Sequence, residues 1–407
     1  MNLLVLTQYF WPENFRINDL VLSLKGSGVD VSVLTGKPNY PEGIIYPGYR
    51  TLGTMLDYLD GVQVWRVPVI PRGRGGGLRL MANYISFVLS AGLLAPFLLF
   101  RKRIDVIFIY APSPLLQAMA ALPLKWIKGA PMVIWVQDLW PESLAATGHI
   151  RNRLALRIVE FFVRTIYSRS DLILIQSEGF RKPISRFADS KKIHYFPNPA
   201  DEPGEAKNKY TGVGAEESIQ AGKFSVVFAG NLGFAQSLET IVEAALILKT
   251  RRDICFYLIG DGSRASWMDE QIAIHKLDNV VMLGRYPADV MPDFFAKASA
   301  LLVTLKDEFI FSLTVPSKVQ TYLAAGRPII AALNGEGRRI VLESKAGIAC
   351  PASDGPALAE AVARLADLPE DLRQEMGVSG QRYCKTHYNL LRLTDELILH
   401  LKKMVRD

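Results

Sequence analysis

The chain has few of the residues that build disulfide or metal sites. Its 407 residues include five histidines and three cysteines, Cys255, Cys350 and Cys384. The cysteines are too few and too scattered for a disulfide framework, and no spacing matches a zinc site. No two aspartates stand one residue apart. We therefore expect a protein of a reducing compartment that holds no metal and no cofactor.

Glycine is missing where a phosphate-binding turn would need it. The first predicted strand-to-helix turn, Thr7–Arg16, contains no glycine, so the dinucleotide-binding fingerprint is absent, and no Walker sequence occurs. Gly73, Gly75, Gly76 and Gly77 stand among arginines without a helical pattern directly after them, which predicts a flexible loop. Dinucleotide-dependent oxidoreductases and P-loop enzymes are therefore disfavoured.

Long hydrophobic runs are scarce as well. The apolar segment Ile85–Phe100 is shorter than the roughly 20 residues that cross a bilayer, and basic residues flank it on both sides. Two interpretations stay open: a helix lying in a membrane interface, or a buried helix that covers the first sheet. Met1–Leu6 has no basic leader or cleavage site, so it predicts a first strand and not a signal peptide.

Charge is divided unevenly along the chain. Residues 1–200 hold 23 Lys and Arg against 13 Asp and Glu, whereas the remaining residues hold 24 against 27. The first half is therefore strongly basic, which predicts that it faces something anionic. No nucleic-acid-binding module accompanies this charge. We expect an anionic membrane surface as a partner and no nucleic acid.

The chain is rich in short apolar runs that alternate with helical patterns. Its length and its 49% hydrophobic content indicate two folded domains. The predicted strands are Leu3–Leu6, Val29–Leu34, Val62–Val67, Val106–Ile109, Met132–Val136, Leu172–Ile175, Ser225–Ala229, Cys255–Ile259, Val280–Leu283, Ala300–Val303 and Ile329–Ala332. Near-continuous apolar strands separated by helices predict parallel sheets covered on both faces. The fold class is α/β, with two doubly wound halves and a cleft between them.

Composition also predicts the domain boundaries. Asn198–Lys223 is rich in Pro, Gly, Glu and Lys, which indicates a linker or a long surface loop. We expect an N-terminal domain over 1–200, a C-terminal domain over 201–387 and an amphipathic helix in 388–407. Two placements stay open for that helix: packing back on the first domain, or capping the second.

A helix start in the second half is suited to an anion. Within Val315–Pro328, Pro316 and Ser317 open a helix, Lys318 lies in its first turn and Gly326 ends it. A helix start offers free N–H groups and a favourable dipole. With the added lysine, this segment predicts a place for the phosphates of an activated substrate.

Three further turns of the second half end predicted strands on the same rim. They are Phe228–Glu239, Ile259–Ser263 and Leu283–Tyr286. Asn231 and Gln236 in the first turn are candidates for hydrogen bonds to a diphosphate. Arg285 in the last turn is a candidate for a phosphate or a nucleobase, although a surface salt bridge is the commoner role of an arginine. Four such turns on one rim are more specific than any one of them.

In the first half, two carboxylates follow a predicted strand. Asp138 and Glu142 come after Met132–Val136 and stand beside Trp135 and Trp140. A carboxylate in this place is able to orient an acceptor hydroxyl or accept its proton. The alternative is that Asp138 caps the following turn.

Taken in order, these elements resemble the retaining GT-B glycosyltransferases of family 4 over essentially the whole chain. The segments that match are Pro12-Glu13-Asn14, Gln137-Asp138, Gln176-Ser177-Glu178, Phe196-Pro197-Asn198, Gly230-Asn231-Leu232, Gly260-Asp261-Gly262 and Leu323–Pro328. Thr7–Glu13, Thr35–Pro41 and Val315–Gln320 are similar to the bacterial branch that includes the L-fucosamine transferases of surface-polysaccharide synthesis. The resemblance implies a GT-B fold with two Rossmann-like domains.

The chain departs from the family pattern at charged positions. Where that pattern has an Arg and a Lys that grip the donor diphosphate, this chain has Asn231 and Gln236. The second of two family glutamates falls on Thr321, the first has no clean match, and the histidine before the aspartate is Gln137. A neutral amide cannot supply the missing charge, and we expect Lys318 to supply it instead.

The resemblance implies a reaction and a set of residues for it. The expected reaction moves a sugar, such as an N-acetylated deoxyhexosamine, from a UDP-linked donor to a lipid-linked saccharide, on the inner face of the cytoplasmic membrane. The expected catalytic residues are Asp138 and Glu308, and the acceptor-binding residues are Lys37, Tyr40 and Glu142. The expected donor-binding residues are Asn14, Phe15, Gly230, Asn231, Gln236, Arg285, Ser317, Lys318, Gln320 and Thr321. Two other functions stay open: a sugar-nucleotide epimerase of the same architecture, and a non-catalytic scaffold that binds a sugar nucleotide.

Overall fold

The computed structural model describes residues 1–73, 76–146, 152–200 and 218–406. Arg74 and Gly75 of the glycine-rich loop, and 201–217 of the predicted linker, lie outside the described residues. The chain divides into two compact units. Unit 1 comprises Met1–Asn198 and Leu390–Asp407, and unit 2 comprises Pro199–Asn389. This division falls within two residues of the boundaries that composition predicts.

The sheet of unit 1 has the strand order β3-β4-β2-β1-β5-β6-β7-β8. The strands are β1 Asn2–Leu6, β2 Asp30–Gly36, β3 Met55–Leu59, β4 Val62–Val67, β5 Val106–Ala111, β6 Met132–Val136, β7 Leu172–Ile175 and β8 Ile193–Tyr195. All neighbours pair in parallel except β3, which runs antiparallel to β4 at the edge. The expectation of a wholly parallel sheet is wrong there. Strand β3 has no continuous apolar run because alternate residues face solvent.

Unit 1 also contains helices on both faces of its sheet. They are α1 Ile17–Gly26, α2 Gly77–Leu98, α3 Leu122–Lys128, α4 Glu142–Ala146, α5 Arg153–Arg169, α6 Arg181–Ile184 and the C-terminal α15 Leu390–Arg406. Helix α15 buries Leu393, Leu397 and Leu401 in the same core as α1, and Ser23 Oγ lies 2.7 Å from Thr394 Oγ1. The leucine stripe of α15 therefore packs on the first unit, not on the second.

Helix α2 corrects two expectations: that no helix directly follows the glycine-rich loop, and that the apolar segment is too short to cross a bilayer. It begins at Gly77, so a helix does follow the glycine-rich loop directly. It is long and apolar enough to cross a bilayer by length and composition, but one face is packed on unit 1 through Phe87, Ala91 and Ala95. The opposite face exposes Ile85, Leu89, Leu93 and Phe97, which recur every fourth residue. The helix is therefore neither wholly buried nor free of the protein.

The sheet of unit 2 has the strand order β11-β10-β9-β12-β13-β14, and its strands pair in parallel. The strands are β9 Phe224–Ala229, β10 Ile254–Ile259, β11 Val280–Gly284, β12 Ala300–Thr304, β13 Ile329–Ala332 and β14 Gly347–Cys350. The helices are α7 Leu238–Ile247, α8 Ala265–His275, α9 Met291–Lys297, α10 Phe309–Leu313, α11 Ser317–Ala325, α12 Gly335–Glu343, α13 Gly355–Asp367 and α14 Glu370–His387. As predicted, α11 ends at Gly326, whose φ is 69°.

Candidate active site

The glycine turns of unit 2 form one continuous surface at the carboxyl ends of β9, β10 and β11. Gly230 N donates to Ile259 O (2.8 Å) and Gly260 N donates to Gly284 O (2.7 Å), so three strand ends are tied together. Gly260 has a φ of 142°, and a Cβ on it would lie 1.8 Å from Gly230 O. No side chain fits at Gly260, because the two turns approach each other backbone to backbone.

Lys318 lies over the first of these turns. Its Nζ donates to Gln236 Oε1 (2.7 Å) and sits 3.7 Å from the centre of the Phe228 ring. A Cβ on Gly230 would lie 2.7 Å from Lys318 Cε, so the glycine makes room for the lysine. Burial lowers the pKa of Lys318 to about 7. The ammonium therefore reaches Gln236. Gln236 stands where the family pattern has a phosphate-binding lysine.

The neighbours of Lys318 on α11 differ in accessibility. Gln320 is 1% exposed, whereas Thr321 is partly exposed and its Oγ1 donates to Ser317 O (3.2 Å). Ser317 itself is exposed at the helix start. Of the two neutral residues that could replace the ribose-binding glutamate, Thr321 is the more accessible, and Gln320 belongs to the packed side of the helix.

Three other predicted donor or catalytic residues of unit 2 lie at strand ends. Arg285 is exposed directly after β11, and Glu308 is exposed directly before α10. The amide of Asn231 folds over a neighbouring turn, since a Cβ on Gly262 would lie 2.7 Å from Asn231 Oδ1. These side chains share the carboxyl edge of the sheet, and their roles stay predictions.

Three aromatic rings gather after β1 and β2 in unit 1. Phe15 stacks on Tyr9 with the ring centres 5.4 Å apart, and it lies 5.4 Å from Tyr40. The Arg72 guanidinium sits 5.0 Å from the Tyr40 ring. Asn14 is exposed beside them. The resemblance assigns Asn14 and Phe15 to the donor and Tyr40 to the acceptor, but the structure places Phe15 and Tyr40 in one cluster.

Glu13 is a buried carboxylate to which sequence reasoning assigned no role. It accepts hydrogen bonds from the backbone N–H groups of Phe10 (3.2 Å), Asn39 (2.8 Å) and Tyr40 (2.7 Å). Burial raises the pKa of Glu13 to about 7, although these bonds and Arg66 oppose the shift. Glu13 thus ties the turn after β1 to the loop after β2. Only the fold brings these partners together. The motif Pro-Glu-Asn is therefore the only feature of the sequence that points to Glu13.

Replacing Glu13 with glutamine is expected to flatten the pH dependence of stability. The folded pKa of Glu13 lies above the unfolded value, so its stabilising contribution is complete below about pH 4.5 and is lost as pH rises through about 7. At about 1.4 kcal/mol per pKa unit, this loss is about 3 kcal/mol. Urea unfolding at pH 5 and pH 8 measures it. E42Q, which removes an exposed carboxylate, is the control, and equal slopes in parent and E13Q would contradict the prediction.

The other two predicted acceptor residues are engaged within the protein. Lys37 is 1% exposed, and burial lowers its pKa, with a further contribution from Arg66. Glu142 forms an ion pair with Arg186 (Nη2 to Oε1 2.7 Å). Tyr40, in contrast, is 37% exposed. Of the three predicted acceptor residues, Tyr40 therefore presents the most accessible side chain.

Asp138 links the ends of two strands. Its Oδ2 accepts hydrogen bonds from Ser143 Oγ (3.1 Å) and from Trp140 Nε1 (3.3 Å), and Trp140 Nε1 also lies 3.3 Å from Ser113 Oγ. Burial raises the pKa of Asp138. The bonds from the backbone of Leu139 and from Ser143 hold the turn that leads into α4, whereas the indole of Trp140 connects the carboxylate to Ser113 after β5. Both interpretations of Asp138 therefore have a structural counterpart.

Within 1–73, 76–146, 152–200 and 218–406, no group of three or more His, Cys, Asp and Glu side chains could hold a metal ion.

Comparison with known proteins identifies the domains. A family model described as "Glycosyl transferase 4-like domain" matches residues 14–199, and one described as "Glycosyl transferases group 1" matches residues 223–367. The first match covers most of unit 1, and the second covers most of unit 2.

Two curated relatives are similar over most of their lengths. The probable glycosyltransferase WbjE of Pseudomonas aeruginosa is 27% identical over 306 residues, which is 71% of this chain and 73% of the relative. WcaI of Escherichia coli (strain K12), assigned to colanic acid biosynthesis as a glycosyl transferase, is 22% identical over 316 residues, or 76% of each protein.

A solved structure shows the same fold. The structure described as trehalose-6-phosphate from E. coli, bound with UDP-2-fluoro glucose, superposes with a TM-score of 0.72, covers 99% of each chain and is 13% identical in sequence. That likeness shows the two Rossmann-like domains of the GT-B fold. The activity is indicated by the matched family models. The chain is a glycosyltransferase in which a glycosyl transferase 4-like domain is followed by a glycosyl transferases group 1 domain.

Proposed function

We propose that the protein transfers a sugar from a UDP-linked donor to a lipid-linked saccharide, with retention of configuration, in the synthesis of a cell-surface polysaccharide. The assignment of WcaI to colanic acid biosynthesis supports the polysaccharide, and the UDP-2-fluoro glucose in the solved structure supports the nucleotide. The resemblance to L-fucosamine transferases supports an N-acetylated deoxyhexosamine as the sugar.

The observation that carries the donor side is the position of Lys318. Its ammonium lies on Gln236 and over Gly230, at the start of α11. Breaking the bond between sugar and phosphate leaves negative charge on the departing diphosphate. A cation and helix N–H groups that are already in place stabilise that charge without reorganisation. We propose that these groups act without a bound metal, with Thr321 and Arg285 nearer the nucleoside.

The acceptor side is proposed to lie in unit 1 around Asp138. A partly buried carboxylate just after β6 is suited to orient an acceptor hydroxyl or to take its proton. Tyr40 and Phe15 offer ring faces at the ends of β1 and β2. These rings would flank the sugar of the acceptor.

A membrane surface is the proposed location of the reaction, on the inner face of the cytoplasmic membrane. Helix α2 exposes a stripe that includes Leu93 and Phe97, 68% and 81% exposed, and Arg101 and Arg103 are exposed just after it. Apolar side chains beside cations suit an interface that contains anionic lipid.

Thermal melting with nucleotides tests the donor. A ligand that binds only the native state raises its stability by about 2.7 kcal/mol at one hundred times its Kd. We expect UDP and UDP-sugars to raise the melting temperature, and ADP and GDP to leave it unchanged. A larger shift with another nucleoside diphosphate would contradict the UDP assignment.

A second incubation separates transfer from isomerisation. The protein is mixed with the stabilising UDP-sugar alone, and then with a lipid-linked saccharide as well. We expect release of UDP only when the acceptor is present. Conversion of the UDP-sugar to an isomer without acceptor would instead support the epimerase.

A further inference from the structure

Unit 1 contains an apolar groove between α2 and α5. Its volume is about 460 Å³, within the range of ~300–1,000 Å³ typical of small-molecule sites. The walls come from α2, from the turn Leu115–Ala121, from α5 and from Trp140. Ile85, Leu89 and Ile158 line the groove yet are 43%, 56% and 51% exposed, so one side is open to solvent.

The groove reaches the proposed acceptor site through shared residues. Trp140 forms part of its wall, and the indole Nε1 of the same residue donates to Asp138 Oδ2 (3.3 Å). On the packed face of α2, opposite Ile85, Asn83 is buried, and its Oδ1 accepts from Gln8 Nε2 (2.7 Å) just after β1. The groove and the polar site therefore share Trp140 and helix α2.

Charge around the groove is positive. Helices α2 and α5 together contain five arginines and one glutamate. Arg79, Arg157 and Arg164 are exposed on these helices. No cation is among the described residues that line the groove, and the arginines lie outside it. An occupant that has an apolar part beside a negatively charged part matches this arrangement.

We propose that the groove between α2 and α5 binds the hydrocarbon chain of the lipid acceptor and places its polar head at Asp138. This inference rests on the proposed function, because it presumes a lipid-linked acceptor. One chain leaves the bilayer and lies between the helices, while Leu93 and Phe97, which do not line the groove, face the membrane. Chain and head would then be recognised by adjacent parts of unit 1.

A series of alkyl phosphates tests the groove without turnover. Hexyl, octyl, decyl and dodecyl phosphate are titrated by calorimetry below their micellar concentrations, with inorganic phosphate as the reference. Each buried methylene contributes about 0.8 kcal/mol, so the affinity should rise roughly fourfold per methylene until the groove is full. An affinity that does not depend on chain length would overturn the proposal.

Two groove variants and one matched surface variant locate the binding. V159F fills the groove and is expected to lower the affinity for dodecyl phosphate at least tenfold. F162A widens it and should keep or raise that affinity. F97S removes an apolar side chain from α2 outside the groove, so it should bind dodecyl phosphate like the parent and bind vesicles of phosphatidylglycerol and phosphatidylethanolamine more weakly. The melting temperature of each variant reports its folding.

Other results have defined meanings. Equal losses in V159F and F97S would show adsorption on a flat surface and overturn the groove. A dimer in light scattering that V159F dissociates would make a second copy the occupant, which also overturns it. The UDP-induced thermal shift is measured on the same samples. If alkyl phosphates bind as expected while UDP gives no shift, the donor assignment fails and the groove stands.

Discussion

Replacing Lys318 with methionine is expected to lower kcat by about 10²–10³ while making the protein more stable. The ammonium donates to Gln236, which occupies the position of the missing diphosphate cation, and removing one preorganised donor of this kind costs about that factor. A buried charge is also costly to the fold, so an apolar side chain of similar size should stabilise it by about 1–2 kcal/mol. Loss of turnover together with a higher melting temperature is not what a merely structural lysine would show.

The pH dependence of donor binding gives a second readout. Because the pKa of Lys318 is lowered to about 7, its ammonium is present below that pH and is lost above it. The Kd for UDP should therefore rise as pH increases from 7 to 9 in the parent, and this rise should disappear in K318M. The folded state binds fewer protons than the unfolded state between about pH 7 and 10.5, so the stability penalty of the lysine fades over that range.

Controls keep the Lys318 prediction specific. K249M removes a lysine of unit 2 whose Nζ donates to His275 O on the exposed surface, and it should change neither kcat nor the pH profile. K318R keeps the charge but not the shape of the ammonium. Parent-like turnover in K318M would show that the diphosphate is stabilised elsewhere.

Replacing Asp138 with asparagine is expected to lower kcat/KM for the acceptor by about 10²–10³ and to leave the affinity for UDP unchanged. Positioned acid–base groups contribute ~10²–10⁴ in rate, and the amide of D138N cannot take a proton. Since burial raises the pKa of Asp138, parent activity should fall as pH drops through that raised value. D138N should not show this fall.

Ser143 separates the two interpretations of Asp138. S143A removes the hydrogen bond of 3.1 Å by which Asp138 holds the turn before α4, but it keeps the carboxylate and its contact with Trp140. If Asp138 acts on the acceptor, S143A should retain most of the activity. If S143A is as impaired as D138N, the carboxylate serves the turn and not the reaction.

Much of the fold follows from local patterns. Strand β6 was predicted with its observed bounds, because a fully buried parallel strand reads as a continuous apolar run. Helix α11 was predicted because Pro316 and Gly326 punctuate its ends. Strand β3 was missed, since an edge strand with one exposed face lacks such a run.

The arrangement of the candidate site depends on contacts between residues that are far apart in the chain. Lys318 and Gln236 are 82 residues apart, and only the packing of α11 against the turn after β9 brings them within 2.7 Å. Glu13 gained its role in the same way, because its partners Asn39 and Tyr40 come from another loop. A linear pattern identifies candidate residues but not their pairing.

The sequence by itself determined the class of this protein: two α/β domains, a basic first half and the ordered motifs of a glycosyltransferase. These features are local, since they depend on apolar periodicity, on turn residues and on charge along the chain. The tertiary structure alone decided that α2 has one packed and one exposed face, that a groove separates it from α5, and that Trp140 joins this groove to Asp138. Those facts depend on which surfaces meet when helices pack on a sheet, and residues far apart in the chain settle that together.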